Sequence, residues 1–332
     1  MNKTLKKTLT GVTSAAMLTS TAAQAVVAET DMVVSVSEQE AVSFKKVANV
    51  EGTFSFNQNM ITPADDVFSL FGTAVTGLCA KPDFAMSSAD KDYYVNVGGK
   101  ISYSGTRNLK AMAGQNRTML CACATGPATA QAQITGVPVS DVLSLSDLDL
   151  GTANTLVVKS ADGYTAKLPL QVVLEKNAML AYQVGGKDIP SGVQLWMPDT
   201  VAKYFVRNVV DLEVTSSAEV PKLDSRDESL KAEIALMNKV EDIFTVGKTM
   251  TFEGYADDFE DAIAAIEFSM DGGETWTSYP TEKVSTDLWV YWHFSYTPTS
   301  AGSYQMTVRA RTASGKVSPL AANVAFTVAE SV

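Results

Sequence analysis

The chain has 332 residues, 46% of them apolar, a formal net charge of -11 and a single histidine, His293. This length suggests about two domains of roughly 100–200 residues each. The acidity repels phosphate backbones and anionic lipid, so no nucleic-acid partner is expected, and solubility alone is the plainer reason for the charge. A Ser-His-Asp triad would have to use His293, and a His-rich zinc site is excluded. No C-x-x-C-H, G-x-G-x-x-G or Walker sequence occurs, which removes covalent c-type haem and leaves the usual nucleotide sites without support.

Residues 1–7 are basic through Lys3, Lys6 and Lys7, residues 8–22 are small and mildly apolar, and Ala23-Gln24-Ala25 forms an A-x-A cleavage signal. Residues 1–25 therefore read as a secretory signal peptide, so the protein is expected to be exported. Its basic region holds lysines where a twin-arginine signal needs arginines, which points to the general secretory route. No cysteine follows the cleavage region, so no lipid anchor is expected there.

Residues 26–85 form an N-terminal extension. Val33, Val34 and Val36 begin a β-prone run, and Thr53-Phe54-Ser55-Phe56 alternates with period two. A short helix is predicted next, with Thr62 as its cap, Pro63 at its first position and Asp65 and Asp66 at its positive end. Phe68, Leu70 and Phe71 supply its apolar face.

Residues 86–215 mix short strands, turns and helices, and this mixture predicts an α+β domain. Asn96 to Ile101 reads as a hairpin turn. Asn154 to Ser160 reads as a strand closed by the turn Asp162-Gly163. Residues 216–246 are charged and poor in apolar side chains, and are read as a connecting segment with a helical turn or two around Ser229–Met237. Residues 247–332 read as an all-β immunoglobulin-like sandwich. Its strands fall at Thr249–Phe252, Ile266–Met270, Thr275–Tyr279, Trp289–Tyr296, Tyr304–Ala310 and Val324–Val328, with the turn Asp271-Gly272-Gly273 between the second and third.

Three blocks of the first domain resemble the sulfite-oxidase family of molybdopterin-dependent oxidoreductases. Thr118-Met119-Leu120-Cys121 and the later Thr135-Gly136-Val137-Pro138 run are similar to the family's strand ending in a metal-ligand cysteine and its "G-V-P-L-x-D-L-L" segment. Ser160-Ala161-Asp162-Gly163-Tyr164, with Leu168-Pro169-Leu170, resembles "S-x-D-G-Y…P-L". Leu180-Ala181-Tyr182 up to Gly186 resembles "L-A-Y-x-x-N-G". In the second domain, Ser269 to Trp276, Trp289 to Trp292 and Val308 to Arg311 are similar to the family's C-terminal sandwich, which often forms a dimer. The resemblance implies a sulfite-oxidase-like mixed α/β domain followed by that sandwich.

It also implies a molybdopterin cofactor whose molybdenum is held by the thiolate of Cys121, with Cys123 as the second candidate ligand. Lys203 and Arg207 would help to neutralise the pterin phosphate, and Arg107 and Arg117 are the other local cations. Thiolate is a soft donor suited to a transition metal; the plain alternative for Cys121 is a small buried core residue. The chain departs from the family where "H-G-x-P-x-R" supplies pterin contacts: Ser191-Gly192-Val193-Gln194-Leu195-Trp196 stands there, without His or Arg. Ala124 also stands where the family usually has Asn. Two functions follow. One is an exported oxidoreductase performing oxo or electron transfer with a small-molecule substrate or redox partner. The other is a non-catalytic exported binding or structural protein that has kept the fold and lost the cofactor. A homodimer through the sandwich is compatible with both.

Overall fold

The computed structural model describes residues 43–72, 93–122, 128–144, 151–224, 233–236, 244–258, 261–318 and 321–331. The elements run in the order β1 (Thr53–Asn57), α1 (Ala64–Gly72), β2 (Tyr94–Gly99), β3 (Gly105–Asn108), β4 (Gln115–Ala122) and β5 (Ala128–Pro138). Then come α2 (Val139–Ser144), β6 (Thr155–Ser160), β7 (Thr165–Pro169), α3 (Leu170–Glu175), β8 (Met179–Val184), β9 (Lys187–Asp188), β10 (Gln194–Trp196) and β11 (Val209–Thr215). The last strands are β12 (Glu233–Leu236), β13 (Phe244–Thr245), β14 (Met250–Asp257), β15 (Ile263–Ser269), β16 (Thr277–Pro280), β17 (Val290–Tyr296), β18 (Gly302–Thr312) and β19 (Ala322–Ala329).

The α+β expectation is corrected by this count. The described residues hold nineteen strands and only three short α-helices, so the protein is mostly β, the first domain included. Helices α2 and α3 have six residues each. Neither is long enough to cover a sheet as a layer, and both bury side chains in the first-domain core. The apolar runs read as a mixture of helix and strand are instead paired into two five-stranded sheets, with orders β3-β2-β11-β6-β7 and β10-β8-β5-β4, β9 joining β8. A second correction falls at Ser229–Met237. Residues 233–236 form β12, antiparallel to β14 with Glu233 opposite Asp257. Local helix propensity is weak and yields to the hydrogen bonds of an available sheet edge.

Period-two alternation gives the β10-β8-β5-β4 sheet two different faces. Val137, Leu180 and Leu195 point into a core shared with the other sheet and with α2 and α3, where Val97, Leu156, Val158, Val142 and Leu212 also lie. Met179, Ala181 and Trp196 point the other way, into a second core with Met119, Cys121, Ala130 and Ala132. Helix α1 covers this second face through Ala64 and Val67, both buried. The predicted helix is therefore present and its acidic first turn is in place. The Thr62 hydroxyl, however, accepts the Gln131 amide at 3.1 Å.

The C-terminal region packs the sheet β1-β17-β14-β12 against β13-β19-β18-β15-β16. Phe252, Phe268, Trp292, Phe294, Met306 and Val308 are buried between them. Its first-sheet edge strand β1 comes from the N-terminal extension, with Phe54 opposite Phe294 and Phe56 opposite Trp292. The alternation seen at Thr53–Phe56 thus serves a domain whose other strands begin almost two hundred residues later.

Residues 58–62 join the two regions. Gln131 of β5, wholly buried, donates from Nε2 to the Gln58 and Met60 carbonyls at 2.8 and 3.0 Å. Its Oε1 accepts the Trp289 amide at 2.9 Å. Gln58 in turn donates to the Ser285 and Leu288 carbonyls, both at 2.9 Å. Around this pin Leu120 and Met60 meet Trp289, Tyr255 and Tyr291 of the sandwich, and Tyr255 stacks on Trp289 with centroids 3.9 Å apart. The aromatic cluster at Trp289–Tyr296 is therefore divided. Trp289 and Tyr291 face the first domain, and Trp292 and Phe294 fill the sandwich.

Candidate cofactor site

Cys121 lies near the end of β4, in register with Ala130 of β5. It is completely buried, with Met119, in the cluster beneath α1. Ala130, Ala132 and Ala181 keep that face of the sheet low, and the space above it is filled by larger apolar groups. Trp196 and Phe205 are the largest, both buried and set edge to face with centroids 5.1 Å apart. Trp196 occupies the last position of the segment where the resembled family carries an arginine. Its indole Nε1 donates to Gln194 Oε1 at 3.1 Å, while Gln194 Nε2 is buried with no partner among the described residues.

The expected cations are placed as follows. Lys203 is half-exposed, pairs with the carboxylate of Asp224 and lies over the Tyr204 ring at 5.0 Å. Arg207 is buried in the segment that joins Phe205 to β11. Arg107 donates to the Tyr103 carbonyl at 3.0 Å. Arg117 donates to the Asn177 carbonyl at 2.6 Å, and lies four residues along β4 from Cys121, about 13 Å at the rise of a strand. Cys123 and Cys79 lie outside the described residues. The structure brings Cys121 together with Trp196 and Phe205, and ties Lys203 to an acidic partner.

A molybdenum-bound pterin needs an accessible thiolate, a slot beside it and donors for a phosphate. Cys121 has no exposed surface, the position expected to donate to the pterin is a tryptophan packed into the same core, and Lys203 is already neutralised by Asp224. The residues present do not fit the group. Two contributors to this closure were not read from the sequence. Phe205 sits in an unremarkable apolar stretch, and the local sequence of α1 does not say which surface it covers. The signal for Gln131 is a long polar side chain among alanines on an alternating strand.

The two other clusters of note lie in the sandwich. His293 is 3.5 Å from the Glu253 carboxylate, which also accepts the Tyr291 hydroxyl. Burial pushes the Tyr291 phenol well above its ordinary value, and Glu253 pushes it further. Glu267, buried, binds Arg309 at 2.6 Å and Arg311 at 2.7 Å, and Arg309 stacks on Trp276 at 3.8 Å. Asp257 and Asp258, at the end of β14, are buried as well.

Residues 84–221 match the model of the family described as oxidoreductase molybdopterin binding domain. Among solved structures, the sulfane dehydrogenase SoxCD from Paracoccus pantotrophus superposes with a TM-score of 0.57 at 17% identity, over 70% of this chain and 70% of that one. The fibronectin(III)-like modules of Clostridium thermocellum CbhA match 30% of this chain and 100% of theirs at 13% identity, with a TM-score of 0.24 that is too low to bear on the sandwich. No curated protein matches the sequence. Residues 84–221 therefore carry a domain of the molybdopterin oxidoreductase type, and the fold is sulfite-oxidase-like.

Proposed function

We propose that this protein is an exported member of the family that has kept the fold without the cofactor and works by binding. The observation that carries this reading is the closed cluster of Cys121, Trp196 and Phe205 under α1. Export rests on the signal sequence at residues 1–25. It predicts a mature chain that starts between Val26 and Glu29, which mass spectrometry of secreted protein reads directly; an intact Met1 on that material removes it. A pairing of two copies through the sandwich is part of the same proposal, and native mass spectrometry tests it.

The second reading is an oxidoreductase with molybdenum on Cys121. The family match and the cysteine at the end of β4 favour it. Molybdenum and pterin content of protein purified from a host that makes the cofactor separates the two. We expect neither group in wild type, and Cys121→Ser to act only on stability, by about 1–3 kcal/mol through a buried hydroxyl. Stoichiometric molybdenum in wild type that disappears in Cys121→Ser and persists in Cys123→Ser overturns the binding-protein reading.

A further inference from the structure

Between the two domains lies a cleft of about 860 Å³, lined on one side by residues 117–120 of β4, Arg117 among them. One wall is β4 and the end of α3, with Arg117, Thr118 and Lys176; Asp199 adjoins them, and the opposite wall is the sandwich segment with Ser285 and Asp287. The volume falls within the range of small-molecule sites, and domain junctions are where such sites concentrate. The walls are held at a fixed separation, because Gln58 bonds both the Ser285 amide and carbonyl and is itself bonded by Gln131. Two rim residues, Asn177 and Asp199, have φ of 51° and 52°. Asn and Asp tolerate this left-handed backbone better than other side chains, and such conformations gather at binding sites.

The charges decide what the cleft takes. Lys176 and Asp199 pair with each other at 3.2 Å. Arg117 makes one side-chain hydrogen bond, to the Asn177 carbonyl, and faces no carboxylate within ion-pair distance among the described residues. A guanidinium has five N–H donors, so several remain for a ligand's carboxylate. Asp287, across the cleft and exposed, has no cationic partner among the described residues. With Glu175 also on the rim, the cleft holds one more acid than base, in a protein of net charge -11. A simple anion meets this excess unfavourably, and a simple cation leaves Arg117 unused. A zwitterion satisfies both.

We infer that this cleft binds a small zwitterion of the amino-acid or short-peptide class, with its carboxylate on Arg117 and its ammonium on Asp287. The inference names a ligand for the binding role proposed above. The test is calorimetry on the full mature chain with three probe sets: free amino acids and dipeptides, the matching carboxylic acids without the amine, and the matching amines without the carboxylate. At least one zwitterion is expected to bind, and its acid and amine counterparts to bind at least ten-fold more weakly. Arg117→Gln should weaken the zwitterion at least ten-fold, and Arg117→Lys should recover part of that loss. Asp287→Asn should weaken the zwitterion and leave the matching acid unchanged. Unchanged melting temperatures in these variants separate lost binding from lost folding. Binding by no member of the three sets at 10 mM, or binding indifferent to both Arg117→Gln and Asp287→Asn, overturns the inference. Molybdenum content is read separately on the same preparations. A metal-loaded protein that binds zwitterions would overturn the cofactor-free reading and leave the cleft assignment standing.

Discussion

Trp196→Ala tests whether the second core is a filled core. The indole is fully buried and packs edge to face on Phe205. A buried tryptophan removes about 200–250 Å² from water, which at about 25 cal/mol per Å² is about 5–6 kcal/mol. The unfolded chain retains part of that burial, so the realistic loss is about 3–5 kcal/mol, as for other large aromatic truncations. The substitution also strips Gln194 Oε1 of its donor. Gln194 Nε2 already has no partner among the described residues, so a second buried atom is left unsatisfied, adding about 1 kcal/mol or more. A loss of about 4–6 kcal/mol is a large part of a domain's usual margin of about 5–15 kcal/mol. Urea unfolding followed by far-ultraviolet circular dichroism measures it without relying on the indole signal. The informative companion is Trp196→Arg, which restores the side chain the resembled family carries there. A closed apolar core rejects that charge, and the variant should fail to fold. A loss below about 1 kcal/mol for Trp196→Ala, or a stable Trp196→Arg protein, would mean that this position opens onto a slot and that the packing argument is wrong.

Gln131→Leu leaves the Trp289 amide and the Gln58 and Met60 carbonyls without their shared partner, and should cost about 2–4 kcal/mol in the same urea assay; a neutral outcome would show that the Gln131 side chain is not what holds the domains together. Burial pushes the Glu267 carboxyl up, but Arg311 and Arg309 outweigh it and hold it below the ordinary glutamate value of 4.5. A lowered folded pKa means the stabilisation is present above pH 4.5 and is lost as pH falls through the folded value. Wild type should therefore lose stability on acidification below about pH 4.5, and Glu267→Gln should show a shallower acid limb, read by melting temperature against pH; parallel limbs would count against it. Asp271, drawn down to about 2 chiefly by its hydrogen bonds from Thr275, acts in the same direction, so Asp271→Asn should flatten the limb between pH 4 and 2. A fragment of residues 233–332 keeps β12 and β13 but lacks β1 and exposes the β17 edge. It should self-associate in size-exclusion chromatography and be rescued by a peptide covering residues 43–57; a stable monomer without the peptide would show that β1 is dispensable.

The local chemistry of this chain was written in its sequence. Alternation at Thr53–Phe56 and Trp289–Tyr296, the turns at Asp162-Gly163 and Asp271-Gly272-Gly273, and the acidic start of α1 all follow from side-chain period and backbone preference within a few residues. The order of the three family-like blocks was legible too, because each block is a short contiguous string. What could not be read was every property that depends on distant partners. Residues 233–236 are a strand because β14 offers an edge, which no neighbouring residue announces. The domain at residues 86–215 is mostly β because α2 and α3 stop after six residues each and the runs around them find sheet partners. Cys121 shows the limit best. Its sequence neighbourhood resembles a metal ligand's, but a thiol's chemistry depends on what lies beyond its Sγ. That was set by Trp196 and Phe205, some eighty residues away, and by α1, contributed by an extension some fifty residues before it. Burial is a sum over contacts made in three dimensions, and only the folded chain determines which contacts those are.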